Sequence, residues 1–482
     1  MRSLSDAFFM FHGFMCSCFT SSRNRLKAFF AATFAGLILL SLVAWSTKPR
    51  PIDPEKIQLT WTSDDNPRRR AQIDPFNRLY PQLHLELDAN NADLDKVVVQ
   101  SLSGVGPDLF DCWSGYALSA IVKADIAWDV TDELKKMGVD VEKETWPSVQ
   151  PCAIYQGRVY GYPVNAAANA LWVHKDLLAE AGVELPRGAW TWEQALPLLR
   201  KLIVRDERGT TIRYPLVFDW DNNYLQFIYQ WGGRMYSDDG TRCTLDSPQC
   251  IAAVQFMQRL VNEGIVPNAA AEVGLSASGG WGGGSVITLF GAQRGVCALG
   301  GRWWLSRLRD PEFKNLHMGV VEAPYGLIHT FAGYGKATLI NKNSPHRYEA
   351  LKFYQYLRSE EYNKLINHQA DGVGPVMNYL DGDEFLHDPE YPGETDNVVW
   401  RDIQKLAQRE QVSPFMNGAV VQRLMKGQLD LVKAGDRRAE QAMREATRQV
   451  NERIQENLRL NPALRAQWDQ LVARQQQQRS AS

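Results

Sequence analysis

The sequence predicts an α/β fold built from more than one globular unit, and three observations carry that reading. From Lys56 onward, strand-like and helix-like stretches alternate. "IQLTW" at residues 57–61 is a short apolar strand and residues 68–80 form a helix. "LHLELD" then alternates with period two, residues 92–102 form another helix, and "PDLFDCW" is a buried strand ending in polar residues. Such alternation builds a mainly parallel sheet with helices on both faces, whose ligands sit at the carboxyl ends of the strands. Later helices carry start signals: Thr191 with Gln194 as a capping box, Ser247-Pro248 before "QCIAAVQFMQRLVNEG" with Gly264 as its stop, and Ser344-Pro345 before "HRYEALKFYQYL". The length of 482 residues exceeds the roughly 100 to 200 usual for one domain.

Composition narrows the function classes. With 53 basic and 55 acidic residues the chain lacks the basic excess that displaces counterions from phosphates, so a nucleic-acid surface is not expected. Near the amino terminus, Arg23, Arg25 and Lys27 precede an apolar run at residues 28–45, which as a helix reaches about 27 Å, close to the thickness of a bilayer core. Basic residues before such a run mark an export signal with its start inside the cell. Ala44-Trp45-Ser46 is a small-x-small cleavage site, so release and retention as a single-span anchor both stand. Either way, residues from about 47 onward lie outside the cytoplasm. Residues 1–22 are a cytoplasmic stub, or the start is Met15. Cys16 and Cys18 precede the run, where a lipid-bearing cysteine would follow it. Cys243 and Cys250 flank "TLDSPQ"; a bridge there would contribute roughly 2.5 kcal/mol, and two packed free thiols are the alternative.

Catalytic and metal signatures are missing. None of the eight histidines falls in an HExxH-type pattern, Cys112, Cys152 and Cys297 show no metal spacing, and the glycine-rich "SASGGWGGGS" at residues 276–285 reads as a mobile loop without the lysine of a phosphate loop. No cofactor and no metal are expected. A glycosidase needs only two carboxylates at a suitable separation, which spacing along the chain does not exclude. Aromatic residues beside polar ones at strand ends stand out instead: Trp61 before Ser63 and Asp64, Asp111 with Trp113 and Ser114, Trp220 with Asp221, and Arg302 with Trp303 and Trp304. A polyhydroxylated ligand uses an apolar ring against its C–H face and polar groups on its hydroxyls. Trp61 and Trp304 are assigned to packing, Trp113 and Trp303 to the ligand.

"GPDLFDCWSG", "YQGRVYGYPVNAAANALWVHKDLLAEAGVELP", "AWTWEQALPLLRKL", "DDGTRCTLDSPQCIAAVQFMQRLVNEG", "GVCALGGRWWL" and "GYGKATLINKNSPHRYEALKFYQYLRSEEYNKLI" occur in one order over residues 56 to about 455. In that order they resemble the carbohydrate-type, maltose-binding-protein-like extracellular solute-binding proteins of ABC importers. The resemblance implies a two-lobe periplasmic binding protein fold of type II, with hinge crossings and a ligand cleft between the lobes. Residues 1–46 would be the signal or anchor, 56–166 and 300–334 lobe one, 167–299 and 335–460 lobe two, and 461–482 a tail, disordered in its "QQQQRSAS" end. "YPVNAAANALWVHK" would be the first crossing, with a return near Gly300-Gly301 and another crossing near residues 333–335.

Carried over position by position, the resemblance implies ligand contacts from Ser63, Asp64, Asp111, Trp113, Ser114, Asn165, Arg302, Trp303 and Tyr334; Trp220 and Asp221 are added on their chemistry. Cys112 stands where a stacking tryptophan would, with Trp113 one place on, and "FMNGAVV" lacks an aromatic at another stacking position, so maltodextrin is not implied as the ligand. The implied function is capture of a sugar or oligosaccharide by a monomer, lobe closure and delivery to ABC permease subunits without chemistry on the ligand. A glycoside hydrolase and a solute-binding sensor partner of a membrane receptor are the alternatives.

Overall fold

The computed structural model describes residues 22–46, 55–89, 93–275 and 284–481. Met15, Cys16, Cys18 and most of the glycine-rich stretch lie outside the described residues. The chain divides into an amino-terminal unit ending at Gln58 and a second compact unit, Leu59–Ser482. The first contains the helix Ser22–Ser46, whose side chains are described from Leu26 to Leu42 and include exposed Phe29, Phe30, Phe34 and Leu39. Among the described residues no helix is long and apolar enough to cross a membrane.

Thirteen strands are described: β1 Ile57–Thr62, β2 Leu83–Asp88, β3 Leu109–Cys112, β4 Ile154–Tyr155, β5 Arg158–Val159, β6 Gly161–Ala168, β7 Ala170–His174, β8 Val204–Arg205, β9 Thr211–Val217, β10 Gly295–Gly300, β11 Met318–Val321, β12 Phe331–Ile340 and β13 Ala407–Gln408. They form two main sheets. One runs β13-β12-β3-β1-β2 with β6 also on β12; the other runs β11-β7-β10-β9-β8; β4 and β5 make a small hairpin. The sheets are mixed, not mainly parallel as expected. β1 pairs parallel with β3 and β9 with β10, but β12 runs antiparallel to both β3 and β6, and β7 antiparallel to β10 and β11. Strand–helix alternation sets the parallel pairs. The strands that enter each sheet from the other run the opposite way.

The stretch "GYPVNAAANALWVH" is where the chain changes sheet. β6 ends at Ala168 in the first sheet and β7 begins at Ala170 in the second, leaving Asn169 as the residue between. Small side chains suit this place: Ala166, Ala167, Ala168 and Ala170 are all buried, where larger residues would separate the packed elements. The return differs from the expectation. β10 and β11 on either side of Gly301–Leu308 both belong to the second sheet, because β11 completes it by pairing with β7, Val320 opposite Trp172. The chain goes back to the first sheet only with β12. The helices Arg347–Leu357 and Glu360–Gln369 then pack on that sheet's side, against β6, β12 and the helix Pro67–Leu79. After β13, Gln411 Oε1 accepts from Met235 N, and the helices Gly418–Ala434 and Ala439–Leu460 pack on the helices of the second side.

Local signals placed two of the three helix starts; the third helix begins at Arg347, with His346 and not Ser344 in the capping position. Thr191 and Gln194 form the reciprocal capping box, and Ser247 caps Pro248–Asn262 through Cys250 N. Cys243 and Cys250 are buried free thiols. The tail expected to be disordered is helical, Pro462–Ala481, since glutamine and arginine extend a helix with little penalty. No crossing lies near 333–335: Gly335 is inside β12, opposite Ala166, with φ +149°, and a Cβ there would lie 2.6 Å from Asn165 O and 2.7 Å from Val149 Cγ2. Gly335→Ala should therefore lower stability by about 2 kcal/mol or more in urea unfolding, from strain and overpacking together.

Candidate functional site

Between the two sheets lies a cavity of about 470 Å³. The first sheet's side contributes Asp64 and Asn66 from the loop after β1, Trp113 after β3, Asn165 and Ala167 on β6, and Tyr334, Gly335 and Lys336 on β12. The second contributes Asp219, Asn222 and Asn223 after β9, and Leu299, Gly300, Trp303 and Trp304 at the end of β10. The cavity thus sits at the carboxyl ends of β1, β3, β9 and β10, where side chains leave the strands without a partner sheet to cover them.

Its first wall is organised by one buried ammonium group. Lys336 Nζ donates to Ser63 Oγ at 2.9 Å, Asp64 Oδ1 at 2.9 Å and Asp111 Oδ2 at 2.7 Å, and its side chain is 1% exposed. Asp111 also accepts from Trp61 Nε1 at 2.8 Å, Thr338 Oγ1 at 2.6 Å and Ser63 Oγ. Arg69, equally buried, donates to Asp64 Oδ1 at 2.9 Å, to Gln72 Oε1 at 2.6 Å and to Asp371. Burial opposes ionisation of Asp64, but Lys336 and then Arg69 outweigh it and hold its carboxyl well below the usual range. Asn165 Nδ2 reaches the Asp371 carbonyl at 2.9 Å, and Asn165 Oδ1 accepts from Lys336 N at 3.2 Å. Trp113, 47% exposed, lies with its ring centroid 4.5 Å from Lys336 Nζ.

The second wall begins at the helix Trp220–Gln230. Asp219 caps it by accepting from Asp221 N at 2.9 Å and holds Asn222 Nδ2 at 2.6 Å; burial, then Asp221, raises its pKa. Asn223 accepts from Asn169 Nδ2 at 2.8 Å. Trp303 is half-buried and folds back over Gly301, where any Cβ would strike its ring at 1.7 Å. Trp304 is buried and stacks on Trp172 with centroids 6.1 Å apart. At one edge Tyr334 Oη donates to the Asn222 carbonyl, joining the two walls.

Of the residues singled out from sequence, Asp64, Trp113, Asn165, Trp303 and Tyr334 line the cavity. Ser63 and Asp111 lie behind it in the Lys336 cluster, and Ser114 caps the helix Gly115–Lys123 through Ala117 N. Trp220 is buried against Phe218, and Asp221 turns outward to Lys426 at 3.0 Å, because the helix starting there points Asp219, Asn222 and Asn223 at the cavity instead. Arg302 is 2% exposed. It donates to the carbonyls of Asn367 at 2.7 Å and Gly372 at 3.0 Å, pinning the segment that carries Asp371. Sequence reasoning passed over Arg69, Asp219, Lys336 and Asp371. A lone lysine inside the apolar "FAGYGKATLI" was the available signal for Lys336; Asp371, in "QADGVGP", carries none.

The profile of the family described as bacterial extracellular solute-binding protein matches residues 64–364. A Brucella abortus (strain 2308) relative, provisionally named a binding protein, is 23% identical over 346 residues, covering 71% of this chain and 76% of its own. Among solved structures, an ABC substrate-binding protein from Listeria monocytogenes in complex with cycloalternan superposes with a TM-score of 0.70 at 18% identity, covering 82% of this chain and 98% of that one. The sugar-binding protein MalE from Xanthomonas citri gives 0.67 at 16% identity, covering 83% and 98%. These structural likenesses establish the two-lobe type II binding-protein fold.

The Lys336 cluster generates a paired prediction. Lys336→Met leaves buried carboxylates short of a cation and should cost about 3–5 kcal/mol in chemical unfolding at neutral pH. Asp64, whose folded pKa is depressed, contributes stability that is present above its unfolded value, about 4, and lost as pH falls below it. The native chain should show this acid loss, and the variant, with Asp64 closer to its ordinary pKa, a shallower one.

Proposed function

Because the chain belongs to the bacterial extracellular solute-binding protein family, we propose that it captures a sugar or oligosaccharide between its two lobes and passes it unchanged to ABC permease subunits. The protein works outside the cytoplasm, and residues 28–45 serve as its export signal or its anchor. The observation that carries the sugar reading is the make-up of the cavity. Two tryptophans from different sheets, Trp113 and Trp303, stand among Asp64, Asn165, Asp219 and Asn222. Rings supply apolar faces for the C–H side of a saccharide, and the carboxylates and amides take its hydroxyls.

Asp64, held ionised between Lys336 and Arg69, does not supply the protonated carboxyl that a glycosidase uses as general acid. Micromolar capture corresponds to about −8 kcal/mol, within reach of a few ring contacts and hydrogen bonds after the cost of ordering both walls. The Tyr334 contact to Asn222 supports closure of one wall on the other.

The test is a thermal-shift screen against sugars, oligosaccharides, polyols and amino acids, with chemical recovery of any stabilising compound. Saturation at a hundredfold excess over the dissociation constant adds about 2.7 kcal/mol. A saccharide recovered intact is the expected result, and Trp303→Ala should weaken it at least tenfold. A cleaved saccharide, or stabilisation by amino acids alone, would sink the proposal.

A further inference from the structure

The charges around the cavity are unevenly available. Its two basic side chains among the described residues, Arg69 and Lys336, are 2% and 1% exposed. All three ammonium donors of Lys336 are committed, to Ser63, Asp64 and Asp111. Arg69 Nε and Nη1 are committed to Asp64, Gln72 and Asp371. Three carboxylates therefore surround two cations on this wall. A fourth, Asp219, stands on the opposite wall with no Lys or Arg beside it in the lining. Two of the four carboxylates are the more accessible groups, the Asp64 side chain at 23% exposed and the half-buried Asp219, while Asp111 and Asp371 are as buried as the cations.

An anionic ligand is ordinarily met by a free guanidinium fork or by uncapped N–H groups at a helix start. Of the helices that begin at this cavity, Pro67–Leu79 and Trp220–Gln230 are closed by their own side chains, Asn66 on Arg68 N and Asp219 on Asp221 N, whereas Gly284–Gly291, with Val286 in the lining, follows residues outside the described ones. Hydroxyl and ammonium groups, in contrast, find carboxylate acceptors on both walls.

We infer that the cleft selects by charge: it takes neutral or amine-bearing saccharides and turns away acidic ones such as uronates and sugar phosphates. This rests on the saccharide reading above and narrows its ligand class. Like charges a few ångströms apart in a half-closed site make an acidic analogue on the order of 100-fold weaker than a neutral one.

The experiment is calorimetric titration of the full chain with three oligosaccharide sets matched in length: neutral malto-, cello- and xylo-oligosaccharides, de-N-acetylated chito-oligosaccharides, and oligogalacturonates. Binding confined to the neutral or amine-bearing sets is the expected result. Oligogalacturonates binding as tightly as the neutral sets would overturn the charge inference and leave saccharide capture standing. No binding by any set would overturn both. Asp219→Asn keeps the helix cap, since asparagine caps as well as aspartate. It should cost the chito-oligosaccharides about tenfold while neutral sugars change less than threefold. Equal losses for both would show Asp219 acting as a hydrogen-bond acceptor without selecting by charge, and would also count against the inference.

Discussion

Burial of the Lys336 ammonium among Ser63, Asp64 and Asp111 is the constraint on which the rest depends. It ties β12, the strand that returns from the second sheet, to the loop after β1 and to β3 itself. An isolated ammonium would not remain charged in such a place; three acceptors, two of them carboxylates, make it tolerable. Arg69 extends the cluster to Asp371, and Asn165 joins Asp371 to the backbone of Lys336 itself. One wall of the cleft is thereby held rigid before any ligand arrives, which lowers the ordering cost of binding.

The second wall is organised differently. Its polar groups hang from a single helix start, where Asp219 satisfies the first turn while presenting Asn222 and Asn223. Its aromatic groups come from the short turns after β10, where Gly301 leaves room for Trp303 to fold back. Arg302 in the same turn reaches the carbonyls of Asn367 and Gly372, so the two walls are coupled behind the cavity as well as through Tyr334. This division sets a wall of paired charges against one whose carboxylate, Asp219, has no Lys or Arg beside it in the described lining.

Much of this was legible in the residues. Caps at Thr191, Ser247 and the strand-end clusters located most elements, and the family resemblance oriented them in one order. What failed shares one cause. Trp220 and Asp221 are singled out by their chemistry at a strand end and Arg302 by the resemblance, but neither adjacency along the chain nor a matched motif says which way a turn faces. Asp219, one residue earlier, faces the cavity, and Trp220 is buried. The lobe boundaries failed similarly: "GGRWW" resembles a crossing, yet β11 still pairs with β7 before the chain leaves the second sheet.

The sequence by itself determined the α/β class, the helix starts at Thr191 and Ser247, the stretch in which the chain changes sheet and the family, because each is written in neighbouring residues or in the order of segments. Only the tertiary structure decided which charges are available to a ligand. Lys336 and Arg69 are positive in any sequence reading, but their partners Asp64, Asp111 and Asp371 stand up to 302 residues away, as with Arg69 and Asp371. Electrostatic satisfaction depends on distance in space, which the spacing of residues along a chain does not record.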